Sequence, residues 1–334
     1  MKRIGVVVPV YREEEGIELF HTRLWETLKP LRDRYRFEIV YVVDKSPDAT
    51  EAKLRGIAAA YYDVVVVVLS RRFGHQAALM AGIDRSKADA VIMLDGDLQH
   101  PPELVPAMLE RFEAGADIVQ MIRHDIAAGG AIARRFSQWF YRLFGRLAPI
   151  SIPPGSADFR LLSDRVAEIF RSQLREQNPF LRGLVFWVGF NIVYLPFECH
   201  ERQHGVTKYS MSRLLGFAVN GLCSFSKVPL RVCTMFGIAL AVVSLILAAA
   251  QVLAYVLGKH HNVPGWASLM VAVSFATGVQ LFFVGILGEY IGLIFDEVKR
   301  RPLYIVETVH QAESAGSLNS GSSEAKSTRQ GGAA

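Results

Sequence analysis

Cysteine is scarce. The 334 residues contain three, Cys199, Cys223 and Cys233, with no C-x-x-C pair and one left over in any disulfide scheme. This excludes a disulfide scaffold and a cysteine-held metal, and it points to a reducing compartment. No G-x-G-x-x-G follows the first apolar run and no Walker lysine occurs, which disfavours dinucleotide enzymes and phosphate-loop ATPases. Internal repeats, a collagen period and a globally disordered composition are missing too. The apolar run over residues 4–10 is not expected to be a leader peptide: it is short and ends in Tyr11-Arg12-Glu13-Glu14-Glu15 without a small-residue cleavage site, so it is expected to be a buried strand.

What is present is apolar. Hydrophobic residues make up 51% of the chain, and the mean hydropathy is +0.23. Two uncharged stretches, over about 232–257 and 263–287, carry the excess. Each is longer than the roughly 20 residues that span a bilayer as a helix. Only Gly258-Lys259-His260-His261-Asn262 separates them, so they read as a membrane hairpin, with a buried helical hairpin as the alternative. Lys227 and Arg231 precede the pair and Lys299, Arg300 and Arg301 follow it. The positive-inside rule then places both ends and the N-terminal region in the cytoplasm, making a multi-pass protein of the inner membrane. The net charge of +5 suits nucleic acid, phosphate ligands or an anionic membrane surface. Its clustering beside apolar stripes disfavours nucleic acid.

Over residues 1–125, β-branched runs alternate with helical segments. Strands are expected over 4–9, 37–43, 64–69, 90–94 and 117–121, with helices over 14–28, 48–60, 74–83 and 103–113. This spacing predicts an α/β domain with a mostly parallel sheet, and ligands in such sheets bind at the carboxyl ends of strands. Residues 132–147 form an apolar stripe flanked by Arg134, Arg135, Arg142 and Arg146, the pattern of an interfacial amphipathic helix; a helix packed on the core is the alternative. A second stripe runs over 211–225. The boundaries that follow are a cytoplasmic α/β domain over 1–210, a juxtamembrane helix over 211–228, the membrane pair over 229–298, a cytoplasmic return over 299–312 and a disordered tail over 313–334.

The segment richest in chemistry is Asp95-Gly96-Asp97-Leu98-Gln99-His100-Pro101-Pro102-Glu103. It follows a strand, so two carboxylates emerge together where they can share one hard cation with a diphosphate; an Asp-Gly turn is the bland alternative. Val8-Pro9-Val10-Tyr11-Arg12-Glu13 closes the first strand, and Asp44-Lys45-Ser46-Pro47-Asp48-Ala49-Thr50 closes the second. Asp44 can accept from a base or ribose, whereas Asp48 reads as a helix cap.

Together these motifs resemble the family-2 inverting glycosyltransferases of GT-A fold. Arg71-Arg72-Phe73-Gly74-His75 is similar to the family's R-N-x-G segment. Glu201-Arg202-Gln203-His204-Gly205-Val206-Thr207-Lys208-Tyr209 is similar to a block of its polyprenyl-phosphate branch. Gly288-Glu289-Tyr290-Ile291-Gly292 and the run from Glu297 to Tyr304 resemble that branch's ending. The resemblance covers about residues 4–306. It implies a membrane-bound transferase that moves one sugar from a nucleotide-diphosphate sugar, UDP-sugar favoured over GDP-mannose, to a polyprenyl phosphate such as undecaprenyl or dolichyl phosphate. Pro9, Tyr11, Glu13, Asp44 and Asp95 would hold the nucleoside. Asp95, Asp97 and Gln99 would bind Mg²⁺ or Mn²⁺, and Arg202 and Lys208 would grip the diphosphate. Arg123 and Arg134 match acceptor-phosphate positions, with Arg135 aligning equally well. Asp158 matches an acidic position near the acceptor, as a base, as an orienting group or as an ion pair to Arg160. A homo-oligomer, a tetramer in some of the branch, is also implied.

Three positions depart from the family pattern. Arg12 stands where asparagine is usual, Lys45 where a second aspartate is common, and Leu293 where an arginine is common after the second span. A processive polysaccharide synthase is disfavoured by the two spans and by the lack of a Q-x-x-R-W motif. A non-catalytic nucleotide-sugar binder is the remaining alternative.

Overall fold

The computed structural model describes residues 1–123, 152–177, 179–198, 228–257 and 265–312. The chain divides into two compact units, one holding the α/β domain and the other holding two long helices.

The α/β unit is built on an eight-stranded sheet in the order β7-β5-β6-β4-β1-β2-β3-β8. Its strands are β1 (Lys2–Val10), β2 (Tyr35–Val43), β3 (Val64–Leu69), β4 (Ala90–Met93), β5 (Ile118–Arg123), β6 (Ser156–Ser163), β7 (Ile192–Phe197) and β8 (Val306–Gln311). β1 to β4 are mutually parallel, β5 and β7 share their direction, and β6 and β8 run against them. Six helices belong to this unit: α1 (Ile17–Leu28), α2 (Thr50–Ala60), α3 (His75–Arg85), α4 (Val105–Glu113), α5 (Asp164–Ser172) and α6 (Leu181–Trp187). The second unit contains α7 (Val228–Val256) and α8 (Trp266–Lys299).

The first five strands and four helices expected from the sequence are all present, with ends that move by a few residues. β1 and β3 are runs of β-branched residues buried on both faces, as strands in the middle of a helix-covered sheet must be. The segment expected as one helix over 103–113 begins as a 3₁₀ turn at Pro102–Leu104 and becomes α-helical at Val105. The missing Pro102 N–H would be unbonded in a first turn anyway.

Three strands were not expected. β6 inserts antiparallel between β4 and β5, and β7 pairs with β5. β8 comes from the return after α8 and pairs with β3, more than two hundred residues earlier, matching Val309 to Val67. Its approach is fixed by Tyr304, whose hydroxyl donates to Asp84 Oδ2 at 2.5 Å. Arg175 holds both oxygens of the same carboxylate, at 2.8 and 2.7 Å.

In the second unit, α7 and α8 are long and apolar enough to cross a membrane by length and composition, over Leu230–Leu247 and Leu269–Lys299. Phe236 of one helix meets Phe283 of the other edge-on, with ring centres 5.8 Å apart. Residues 132–147, 211–227 and 313–334, for which amphipathic helices and a tail were expected, lie outside the described residues.

α3 lies against β1 because Gly82 has no side chain. A Cβ there would sit 2.1 Å from Val7 Cγ1. Gly82→Ala is therefore expected to lower stability by about 1–3 kcal/mol through overpacking, read as a fall in the thermal midpoint. An unchanged midpoint would show that α3 can move off the sheet freely.

Candidate functional site

Parallel pairing brings the ends of β1, β2 and β4 to one edge of the sheet. Val7 is in register with Met93, and Val10 with Val43. The chain steps from one side of β1 to the other between β3 and β4, and a crevice opens at the carboxyl ends where that reversal occurs. Backbone bonds from Asp44 N to Val10 O, 3.0 Å, and from Leu94 N to Val7 O, 3.2 Å, carry the pairing to the last residues. Pro9, Tyr11, Glu13, Asp44, Asp95, Asp97 and Gln99 all lie on the strand ends or loops around this crevice.

The aspartate turn is folded over β1. A Cβ on Gly96 would lie 3.3 Å from Val8 Cγ1, a tight contact that the valine side chain would have to relieve by a few tenths of an ångström. Leu98 takes a left-handed conformation, φ 62°, and the Gln99 N–H donates to Asp97 Oδ1 at 3.1 Å. Asp95 is fixed from behind by His100, whose Nδ1 accepts the Asp95 N–H at 3.0 Å. The His100 ring is itself stacked on Phe159, 5.2 Å between centres, and edge-on to Phe197. Through Nδ1 the ring braces the turn as a hydrogen-bond acceptor. Asp95 Oδ1 is buried and has no hydrogen-bond partner among the described residues.

On the other side of the crevice Asp44 is 4% exposed. Its carboxylate accepts the backbone N–H of Phe73 at 2.6 Å and of Gly74 at 2.9 Å. Asp44 thus ties the β3–α3 loop to the end of β2. Asp48, expected as a helix cap, lies one residue before the N-cap Ala49; it closes the turn leading into α2, its Oδ1 accepting from Thr50 N at 3.3 Å and from the Ser46 hydroxyl at 2.5 Å. Its carboxyl is correspondingly held below the ordinary value, the hydrogen bonds from Ser46, Thr50 and Glu14 outweighing the opposing effect of burial.

Two departures from the family pattern gain a physical meaning. Arg12 and Lys45 both have positive φ, 59° and 41°, a region that asparagine and aspartate tolerate better than long side chains. Arg12 is held there by its N–H bond to Ser46 Oγ, 2.8 Å, and Lys45 by an ion pair to Glu307 of β8. The face of Tyr11 carries the Arg72 guanidinium, 4.1 Å from the ring centre.

β6 brings in the most heavily charged part of the site. Asp158 and Arg160 are two apart on a strand and so share a face. Asp158 Oδ1 receives Arg160 at 2.6 Å and Oδ2 receives Arg182 of α6 at 2.9 Å. Arg160 is 1% exposed. His75 Nε2, at the start of α3, stands 3.7 Å from Asp158 Oδ2 and 3.6 Å from Asp95 Oδ1. Burial alone would raise the Asp158 pKa; Arg182, His75 and Arg160 outweigh it and hold the carboxyl well below the usual range. For His75 burial works downward, and the two carboxylates raise its pKa to about 9. Arg160 is lowered to about 10 by burial, opposed by Asp158, and remains charged at neutrality.

Arg123 ends β5, with its N–H on Gly155 O at 2.8 Å. Arg134, Arg135, Arg202 and Lys208 lie outside the described residues. The ion pair between Asp158 and Arg160, one of three readings of that aspartate, is present. His75, His100 and Arg182 were not singled out from the sequence. The signals they carry are weak ones: a histidine opening a helix after glycine, a histidine three residues beyond Asp97, and an arginine on a short helix.

Removing the Asp158 charge would leave Arg160 buried without its partner. Asp158→Asn is expected to destabilise the protein by about 3–5 kcal/mol, much of which is recovered when Arg160 is also replaced by Met. Equal losses in the single and double variants would show that the pair is not coupled. Because the Asp158 carboxyl is depressed in the folded state, its stabilisation is complete above the unfolded value of 3.8 and is lost only as pH falls through the still lower folded value. Unfolding measured from about pH 7 to about pH 5 should therefore show no loss that Asp158→Asn abolishes.

Residues 5–170 match the Glycosyl transferase family 2 domain, and residues 228–294 match the GtrB C-terminal hairpin. An uncharacterized glycosyltransferase of Synechocystis is 40% identical over 304 residues, covering 91% of this chain and 94% of that protein. The SfII prophage-derived bactoprenol glucosyl transferase of Shigella flexneri is 39% identical over 312 residues, covering 92% and 99%. Among solved structures, the mannosyltransferase PcManGT of Pyrobaculum calidifontis, in complex with GDP-Man and Mn²⁺, is 18% identical with a TM-score of 0.47, covering 89% of this chain and 86% of that one. Similarity to the glycosyltransferases at this level runs through both the sheet and the paired helices, and the chain belongs to glycosyl transferase family 2.

Proposed function

We propose that the protein transfers one sugar, with inversion, from a nucleotide-diphosphate sugar to a polyprenyl phosphate at a membrane surface, and that a UDP-sugar is the donor. The observation that carries the reading is the pair Asp95 and Asp97, presented at the end of β4 beside the β1 and β2 loops in a chain that also holds two membrane-length helices. Likeness over nearly the whole length to a bactoprenol glucosyl transferase supports the lipid acceptor. The basic residues flanking the helix pair support a cytoplasmic side for the catalytic unit and both ends, where nucleotide sugars are found.

A divalent cation fits the donor set. Asp95 Oδ1 is buried without a hydrogen-bond partner among the described residues, with His75 Nε2 3.6 Å away, and carboxylate oxygens suit Mg²⁺ or Mn²⁺. No group of three His, Cys, Asp or Glu side chains placed to hold a metal occurs among the described residues. Asp95 and Asp97, with Gln99, would hold it. Bound there, it would neutralise charge on the leaving nucleoside diphosphate.

The chain's own residues do the rest. Tyr11 offers a ring to the base once Arg72 shifts from its face, and Pro9, Glu13 and Asp44 shape the pocket around it. Arg202 and Lys208 grip the diphosphate and stabilise its developing charge. The nucleophile is a lipid phosphate, largely ionised near neutrality because its second pKa is about 6, so it needs positioning more than deprotonation. Arg123 and the pair Arg134 and Arg135 supply charge-assisted bonds for that purpose. Asp158, held ionised by two arginines and too weak a base to take a proton, orients those cations instead.

Membranes carrying the protein, incubated with a panel of labelled nucleotide sugars and polyprenyl phosphate, should yield a labelled lipid. Asp97→Asn should lose at least about a hundred-fold in rate while the protein still folds and inserts. Near wild-type transfer by that variant, or full activity in excess chelator, would contradict the metal reading. Combined Arg134→Ala and Arg135→Ala should raise the KM for polyprenyl phosphate about ten-fold or more, and leave nucleotide-sugar binding unchanged. Weakened donor binding with normal lipid kinetics would instead move these arginines to the donor site.

A further inference from the structure

The reaction as proposed uses carboxylates at the ends of β4 and in β6, but not the imidazole that stands between them. His75 Nε2 is within 3.7 Å of both Asp95 Oδ1 and Asp158 Oδ2. Each of these aspartates has other partners. Asp158 is held by Arg160 and Arg182. The second Asp95 oxygen lies 3.5 Å from His100 Nδ1, the nitrogen that accepts the Asp95 N–H. His75 Nε2 stands within ion-pair distance of one oxygen of each.

The position of the ring is built, not incidental. Asp44 accepts the N–H groups of Phe73 and Gly74. Gly74 then turns with φ +100°, a conformation a side-chain-bearing residue rarely takes, and α3 begins with His75. Gly82 seats the same helix on β1. The next residue, Gln76, accepts the Leu181 N–H at 3.2 Å, fixing the start of α6, on which Arg182 follows at once. The first turn of α3 therefore touches the donor-side turn and the helix that carries an Asp158 partner.

We infer that His75 is a positioning residue that ties the donor-side carboxylate Asp95 to the acceptor-side carboxylate Asp158 and so sets the spacing between the two halves of the site. The inference rests on the proposed reading of Asp95 as part of the donor site. Without the imidazole Asp158 keeps Arg160 and Arg182, and the Asp95 turn keeps its backbone bond to His100, so each half still binds. What is lost is their alignment, and small misplacements of reacting groups act on turnover more than on ground-state binding.

The test compares the full-length wild type with His75→Phe, which keeps a ring but no N–H, and His75→Gln, whose amide nitrogen can reach the Nε2 position. Sugar transfer to polyprenyl phosphate is measured together with binding of UDP in the presence of Mn²⁺. His75→Phe is expected to lower kcat by between about ten- and a hundred-fold, with the donor KM within about three-fold of wild type. Its thermal midpoint should stay within about 3 °C of wild type. His75→Gln should recover kcat to within about three-fold. Wild-type turnover in His75→Phe, a loss confined to KM or stability, or no recovery in His75→Gln would overturn the positioning role. A wild-type protein that neither binds UDP nor transfers sugar would overturn the donor-site reading, and this inference with it.

Discussion

A buried charge organises this protein. Arg160 is the largest side chain wholly inside the α/β unit, and a guanidinium there is tolerable only with a carboxylate against it. Asp158, two residues back on the same face of β6, is that carboxylate, and its second oxygen draws in Arg182 from α6 and the His75 ring from α3. One anion thereby joins β6 to the nearby helix α6 and to α3, which lies far earlier in the sequence. It also leaves Asp158 strongly ionised, which suits an orienting anion and not a proton acceptor. A lipid phosphate needs no such acceptor, so the electrostatics and the chemistry agree.

The sheet supplies the other constraint. A parallel sheet whose strand order reverses beside β1 leaves the ends of β1, β2 and β4 adjacent, and the motif residues occupy those ends. Much of what looks like ligand chemistry in the sequence is also loop architecture. Asp44 clasps two backbone N–H groups, Gly96 lets the aspartate turn lie on Val8, and His100 braces Asp95 through an aromatic layer with Phe159 and Phe197. The loops are held in place by residues that also line the crevice, which is economical but makes single substitutions there act on fold and site together.

The part of this architecture that could be read from the sequence is the part written locally. Valine-rich runs, helical spacing between them and the Asp95–Asp97 pair each occupy a short window, so β1 to β5 and the donor-side turn were legible. β6, β7 and β8 were not, because their partners lie far along the chain. β8 joins β3 only through tertiary pairing, and its sequence Val-Glu-Thr-Val-His-Gln carries polar residues typical of an edge. The likeness to a known family named Asp158 but not its environment. That Arg160, Arg182 and His75 converge on it depends on three elements meeting, and no spacing rule reports that. Conversely, the positive φ of Arg12 and Lys45 explains after the fact why shorter polar residues are usual at those two positions.

The central claim is that a nucleotide diphosphate lies between the aspartate turn and Tyr11 while Asp158 remains an ion-paired anchor. A structure of the full chain in a lipid bilayer with Mn²⁺ and UDP tests it directly. The account predicts the diphosphate against Asp95 and Asp97, the base against the Tyr11 ring, and Asp158 still bound by Arg160 and Arg182. A nucleotide seated elsewhere on the sheet, or an Asp158 released from its arginines and turned toward the acceptor, would contradict it.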